Sequence, residues 1–219
     1  MEPWPLRHLV LRTPRLELRP DDDASLLELC ELALGGVHPP EQMPFLIPWT
    51  DAEPEDMVGK IMRYHWGERA GCEPGSWGIN FLVRRDGELI GSQGLYAKQF
   101  AVTREVSTGS WLGQRFQRHG FGTEMRAAVL LFAFDHLAAI QARSAAFTDN
   151  VNSLRVSEKL GYLPDGSDTA VRRGERAVET RLLLTRQRFA GFRPDWTLEV
   201  DGLDGCRGLL LGGTTTNDS

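Results

Sequence analysis

Apolar and charged residues alternate over residues 13–19, where Leu16 and Leu18 point one way. That period of two predicts a half-buried strand. Asp21, Asp22 and Asp23 then offer N-caps for a helix carrying Leu26, Leu27, Leu29, Cys30 and Leu34, stopped by Gly35 and Gly36. Five prolines fall between residues 39 and 54, so this stretch is an ordered loop. Its Phe45, Ile47 and Trp49 must pack on something or cover a site. A second helix is predicted over residues 57–69, then a hairpin of residues 77–83 and 88–97 turning at Arg85, Asp86 and Gly87. Residues 105–112 read as a strand, with Gly109 marking a bulge or a close backbone approach.

A Gly-rich turn leads into a helix, placed to begin near Thr123, whose Met125, Ala128, Val129, Phe132 and Ala133 form an apolar stripe. Residues 139–147 predict a strand, 150–160 a helix stopped by Gly161, and 178–184 a late strand. Residues 165–176 are expected to help shape a pocket with the loop at 36–56. The tail from Trp196 adds one more strand, covering either its own sheet edge or a neighbour's in a homo-oligomer. Residues 212–219 have a disordered composition. The order of elements makes the chain α/β with a mixed sheet.

Composition narrows the function. The chain has 219 residues, 41% of them apolar, enough for a sizeable core without disulfides. A net charge of -5 argues against a general nucleic-acid partner. The first twenty residues lack a signal-peptide core, and the longest apolar run, residues 127–134, is too short to cross a membrane. Cys30, Cys72 and Cys206 form no CxxC pair, and the histidines show no metal spacing, so no metal is expected and a reduced, cytoplasmic setting is the simplest account. Lys60, Lys98 and Lys159 are the only lysines, leaving 22 of the 25 basic residues as arginine. Codon bias explains most of that excess; the useful question is whether an arginine lies where an anion would bind.

One local feature carries chemistry. The strand ending at Leu112 runs through Gln117, Arg118, His119, Gly120, Phe121 and Gly122 into the helix near Thr123. A helix start offers unpaired N–H groups and the positive end of the dipole, and glycines let a phosphate approach. Arg115, Arg118 and His119 crowd the same turn. A phosphate-bearing ligand is expected. It is neither a Walker A nucleotide, because no Gly-Lys-Ser/Thr follows, nor a dinucleotide held by GxGxxG.

The segment from Gln117 to Gly122 resembles the Q/R-x-x-G-x-G/A signature of the GNAT N-acyltransferases. Residues 150–162, NVNSLRVSEKLGY, are similar to that family's N-x-x-S-x-x-V-x-E-K-L-G-F/Y segment. Residues 109–112, GSWL, are similar to its G-Y-W-L strand, and residues 13–19 and 43–51 resemble segments of the RimJ/RimL-type branch, which acetylates protein N-termini. The resemblance implies the GNAT fold, a mixed, mostly antiparallel central sheet flanked by helices. It implies one such domain over residues 1–190, with residues 191–219 as a C-terminal extension. It also implies acetyl-CoA or another acyl-CoA as co-substrate, bound by Trp111, Leu112, Gln117, Arg118, His119, Gly120, Phe121, Gly122, Thr123, Asn150 and Ser153. Asn150 and Gly161 also fit plain helix-capping roles.

By that resemblance, the acyl group passes directly to an amine with both substrates bound. The amine must lose a proton. The thioester carbonyl needs a donor, for which the Leu112 N–H, freed by a strand bulge, is the candidate. The thiolate leaving group, of parent pKa near 8.5, gains from a hydrogen bond, and Ser153 is the candidate. The family often has an acidic residue where this chain has Ser107; Glu105, on the same strand face, is the available base. His38, with histidine's ordinary pKa near 6.5, is a second candidate. The region expected to hold a further glutamate reads Ala170, Val171, Arg172. Three functions stay open: an acetyl-CoA-dependent N-acyltransferase, one that uses succinyl-CoA through an arginine in the pocket wall, and a non-catalytic acyl-CoA-binding module. The acceptor is an amine, on a small molecule or a protein.

Overall fold

The computed structural model describes residues 2–212. The tail expected to be disordered lies, from residue 213 on, outside the described residues. Nine strands form one sheet in the order β7-β8-β6-β5-β4-β3-β2-β1-β9. They are β1 (Val10–Arg12), β2 (Glu17–Pro20), β3 (Trp77–Arg85), β4 (Glu88–Ala97), β5 (Glu105–Leu112), β6 (Gln141–Phe147), β7 (Leu163–Arg172), β8 (Glu175–Thr185) and β9 (Glu199–Asp201). Only β5 and β6 pair in parallel; every other neighbour is antiparallel. The sheet is the mixed, mostly antiparallel one expected.

Helices α1 (Asp23–Leu34) and α2 (Pro54–Ala70) cover the front face, where Leu26, Leu29, Met57 and Ile61 pack on Leu82 and Leu89. On the back lie α4 (Phe121–Leu131) and α5 (Val151–Lys159). The α4 helix is buried along nearly its whole length and runs into a π-helical turn, Phe132–His136, that seats Phe132 and Phe134 in the main core. Two short helices, α3 (Phe100–Thr103) and α6 (Arg186–Phe189), complete the connections. Asp22 caps α1, its carboxylate accepting from the Ser25 N–H and hydroxyl at 2.9 Å each. Asp22→Ala should lower stability by about 1 kcal/mol in urea unfolding; no change in midpoint would contradict the cap.

Several boundaries differ from expectation. The strand predicted over residues 13–19 holds only from Glu17, in β2; residues 13–16 are the turn that joins it to β1, because Pro14 cannot donate to a ladder and the turn closes on itself, Thr13 N–H to Leu16 O at 2.9 Å. The β7 strand lies where the sequence predicts no element. Its Pro164, Asp165, Gly166 and Asp168 suit a sheet edge, where unpaired groups must be blunted, and the pairing with β8 is interrupted between Pro164 and Ser167. The tail strand is only β9, which pairs with β1 of its own chain. After it comes α7 (Leu203–Leu211), whose Leu203, Cys206 and Leu210 recur at helical spacing and enter the main core. The expected bulge at Gly109 is absent: the β4–β5 register runs unbroken from Gly91 opposite Leu112 to Tyr96 opposite Ser107.

Candidate active site

What opens the sheet is the parting of β5 from β6. The two pair only from Glu105 opposite Gln141 to Ser107 opposite Arg143. One residue further, side chains finish the closure, with Ser144 Oγ donating to Thr108 O at 3.3 Å and Thr108 Oγ1 to Arg143 O at 3.5 Å. Beyond that the strands separate. The Gly113 N–H donates to Ile90 O at 3.0 Å. Antiparallel alternation therefore turns Gly109 and Trp111 toward β4, and Ser110 and Leu112 toward the side β6 has left. The backbone groups of Ser110 and the N–H of Leu112 thus line an open seam. The sequence pointed to Leu112 as a donor but missed Ser110.

The seam leads to the start of α4. Gly120 occupies the N-cap at φ 85° and no side chain caps the helix, so its first N–H groups face outward. The helix begins at Phe121, two residues before the expected Thr123, whose N–H already bonds Gly120 O at 3.1 Å. Gln117 pins the turn: its Nε2 donates to Val37 O at 2.7 Å and Leu112 O at 3.0 Å. Arg118 and His119 are exposed beside it, with Arg118 at φ 67° and His119 stacked on Phe121, 5.9 Å between centroids. Arg115 is not part of this group; its guanidinium pairs with Glu88 at 2.9 Å. Two arginines distant in sequence take its place. Arg15 and Arg85 lie 4.8 and 5.1 Å from the Phe121 ring centroid, and Arg15 donates to His119 O at 3.3 Å while bonding the buried Glu124 at 2.6 Å. Only tertiary folding brings them there, so no local motif could reveal them.

Across the seam stands the first turn of α5. Asn150 Oδ1 accepts from the Ser153 N–H at 3.2 Å, an ordinary cap. Ser153 is half-buried, and among the described residues its hydroxyl has no hydrogen-bond partner. Ser157, one turn on, instead spends its hydroxyl on Ser153 O at 3.1 Å.

The front face of the same strands is a separate hollow. Gly94 and Gly109 pair across β4 and β5, with open space in front of Gly109. Tyr96 donates its hydroxyl to Asn80 Oδ1 at 2.8 Å and accepts from the Tyr64 hydroxyl at 2.8 Å. Glu68 packs beside Tyr96 over Gly78, and burial pushes its carboxyl above the ordinary range. Trp111 turns its side chain to this face, 5.6 Å from Trp49, which stacks in turn on Phe45. Its backbone faces β4, so it does not reach the seam with Leu112. His38 holds this loop together, its two ring nitrogens engaged with Pro39 O at 2.9 Å and Thr50 Oγ1 at 2.7 Å. Glu105 stands apart, at the closed end of β5, with its carboxylate on Arg143 Nε at 2.8 Å and Gln141 Nε2 at 2.5 Å.

The loop at residues 36–56 and the β7–β8 turn do meet. Arg172 donates to Met43 O at 2.9 Å and grips Asp149, and Arg173 grips Asp51 at 2.7 Å and reaches Pro40 O at 3.1 Å. Together they roof the front hollow. Arg173→Ala should leave global stability nearly unchanged, because the pair is solvent-accessible. Amide exchange over residues 40–52 should nevertheless quicken; unchanged exchange there would show that the clamp is idle.

The family model for "Acetyltransferase (GNAT) domain" matches residues 15–163. The chain belongs to the GNAT acetyltransferases. The solved structure of RimL, a ribosomal L7/L12 alpha-N-protein acetyltransferase in complex with coenzyme A, superposes with TM-score 0.65 at 16% identity, covering 79% of this chain and 95% of that one. RimJ of Mycobacterium smegmatis in complex with CoA-disulfide gives TM-score 0.66 at 18% identity, covering 84% and 90%. A GNAT-family acetyltransferase from Bacillus anthracis gives TM-score 0.61 at 17% identity, covering 81% and 99%. These likenesses establish a shared fold. Membership makes the chain an acyl-CoA-dependent N-acyltransferase. Among the described residues no group of three or more His, Cys, Asp or Glu is placed to hold a metal, and no helix is long and apolar enough to cross a membrane.

Proposed function

We propose that this GNAT enzyme holds an acyl-CoA in the β5/β6 seam and passes its acyl group directly to an amine waiting in the front hollow. The observation that carries the reading is that two sets of free backbone groups face one seam: those of Ser110 with the N–H of Leu112, and the uncapped start of α4. Such a pair suits a ligand with hydrogen-bonding arm and pyrophosphate. The residues present fit coenzyme A: Phe121 and Gly122 would offer N–H groups to the pyrophosphate, with Arg118 and His119 beside it. Calorimetry with free CoA and acetyl-CoA tests this; saturable binding of both is expected, and no heat from either would end the reading.

In the reaction, the amine nitrogen bonds to the thioester carbon and the C–S bond breaks. The backbone N–H of Leu112 or Ser110 stabilises the carbonyl oxygen as it gains charge. Ser153 donates its free hydroxyl to the departing sulfur. The amine's proton leaves through water over Gly109 toward Tyr96 and Tyr64, with Glu68 as the final acceptor; the raised affinity of Glu68 for protons suits that task. Glu105 and His38, both engaged elsewhere, act as braces. A protonated Glu68 cannot accept, so kcat/KM should fall as pH drops through a midpoint above the ordinary carboxylate range. Glu68→Gln should cut kcat about tenfold and remove that acid limb; an unchanged pH profile would exclude Glu68. The likeness to RimL and RimJ makes peptide N-termini the first acceptors to assay, beside small primary amines.

A further inference from the structure

Behind the seam lies a cation without a counter-charge. Arg126, on α4, is 4% exposed. Its Nη1 donates to Ser157 Oγ at 2.9 Å and its Nη2 to Ser110 Oγ at 3.1 Å, while its buried Nε has no partner. No carboxylate pairs with it among the described residues. Arg15, Arg84, Arg143, Arg172, Arg173 and Arg181 each hold one. A guanidinium so enclosed is costly unless an anion joins it. Burial accordingly pulls its pKa below the usual value.

Its position says which anion. Ser110 belongs to the open part of β5, and Ser157 sits four residues after Ser153 on α5, about 6 Å deeper along the helix. The floor nearby is hydroxyl-rich rather than apolar, with Thr108 and the Tyr162 hydroxyl 3.4 Å apart. An acetyl group would leave this cation unanswered. A four-carbon dicarboxylic acyl group places its distal carboxylate about 5 Å beyond the sulfur, counting four bonds of roughly 1.5 Å. With the sulfur at Ser153, that distance matches one helical turn.

We propose that Arg126, backed by Ser110 and Ser157, is a receptor for the distal carboxylate of a dicarboxylic acyl-CoA of the succinyl class. This rests on the seam being the acyl-CoA site. The chemistry is unchanged: amine nitrogen bonds to the thioester carbon, the C–S bond breaks, the amine's proton leaves through water to Glu68, and the distal carboxylate stays ionised throughout. Arg126 touches the donor and sets its class.

Calorimetry with free CoA, butyryl-CoA and succinyl-CoA tests it, because the last two share chain length and differ by the charge. Wild-type protein should bind succinyl-CoA at least about tenfold tighter than butyryl-CoA. Arg126→Leu should erase that preference and keep free-CoA affinity. Equal affinities in the wild type, or a preference that survives in Arg126→Leu, would overturn the proposal while leaving the seam intact. Should the leucine variant fail to fold, Arg126→Gln, which keeps a hydrogen-bonding amide for Ser110 or Ser157 but no charge, decides in the same way. Failure of free CoA itself to bind the wild type would instead remove the acyl-CoA reading beneath it.

Discussion

Gly120→Val should abolish coenzyme A binding while the chain still folds. Gly120 holds φ 85° at the N-cap of α4, a region that a β-branched residue enters only under strain. A Cβ there would lie 3.4 Å from Arg15 Nη2, an ordinary contact, so the core is not disturbed. The folding cost is about 1–2 kcal/mol, within the margin of a domain this size. The binding cost is larger, because relaxing φ rotates the peptide that aims the first N–H groups, and the side chain stands where phosphate would approach. Affinity should fall at least a hundredfold, roughly 2.8 kcal/mol. Gly174→Val is the control: it carries comparable strain at φ 81° in the β7–β8 turn, in open space, and should lose stability but not CoA affinity. Equal affinity for Gly120→Val and wild type would move the phosphate site elsewhere.

Ser153→Ala should lower kcat by about a hundredfold and leave the dissociation constant for CoA nearly unchanged. A hydroxyl near the start of a helix usually bonds backward to backbone, as Ser157 does. That of Ser153 is free among the described residues, and the turn that carries it is fixed by Asn150. Its hydrogen bond to sulfur matters only as the C–S bond breaks, so its loss belongs to the transition state rather than to binding. Stopped-flow turnover with a good amine acceptor, set beside calorimetry, separates the two quantities. Equal turnover would take Ser153 out of the chemistry, and a matching loss of affinity would make it a binding residue.

The strands with plain alternation and the helix caps were legible in the sequence. The bounds of β4 and β5 came out as expected, because Gly87 and Gly113 bracket runs that no proline interrupts. The Asp22 cap and the Gly-rich start of α4 were legible for the same reason: each is local chemistry. Four things were not. The β7 strand is polar and carries Pro164 and Gly166, so its sheet partner rather than its composition makes it a strand. The opening of the sheet was expected from a bulge at Gly109 but comes from β6 leaving β5, an event between strands that no single segment encodes. Charge was misplaced: Arg115 lies next to the loop in sequence but pairs with Glu88, whereas Arg15 and Arg85 arrive from elsewhere. Arg126 hid inside an apolar helical stripe, where only its surroundings show it to lack a carboxylate.

The acidic balance of the chain and its anionic ligand are compatible because the positive potential is local. It comes from the α4 start and Arg118, with Arg15 and Arg85 close behind, on a protein whose net charge is -5. That arrangement leaves one short stretch of backbone that would hold the pyrophosphate of the proposed ligand.

The most direct measurement is backbone amide hydrogen exchange resolved to single residues, with and without saturating coenzyme A. Protection should rise at Ser110, Leu112, Phe121 and Gly122, the groups that face the seam and the uncapped helix start, while Gly109 and Trp111, already turned to β4, change little. Saturable CoA binding without added protection at those four amides would contradict the account.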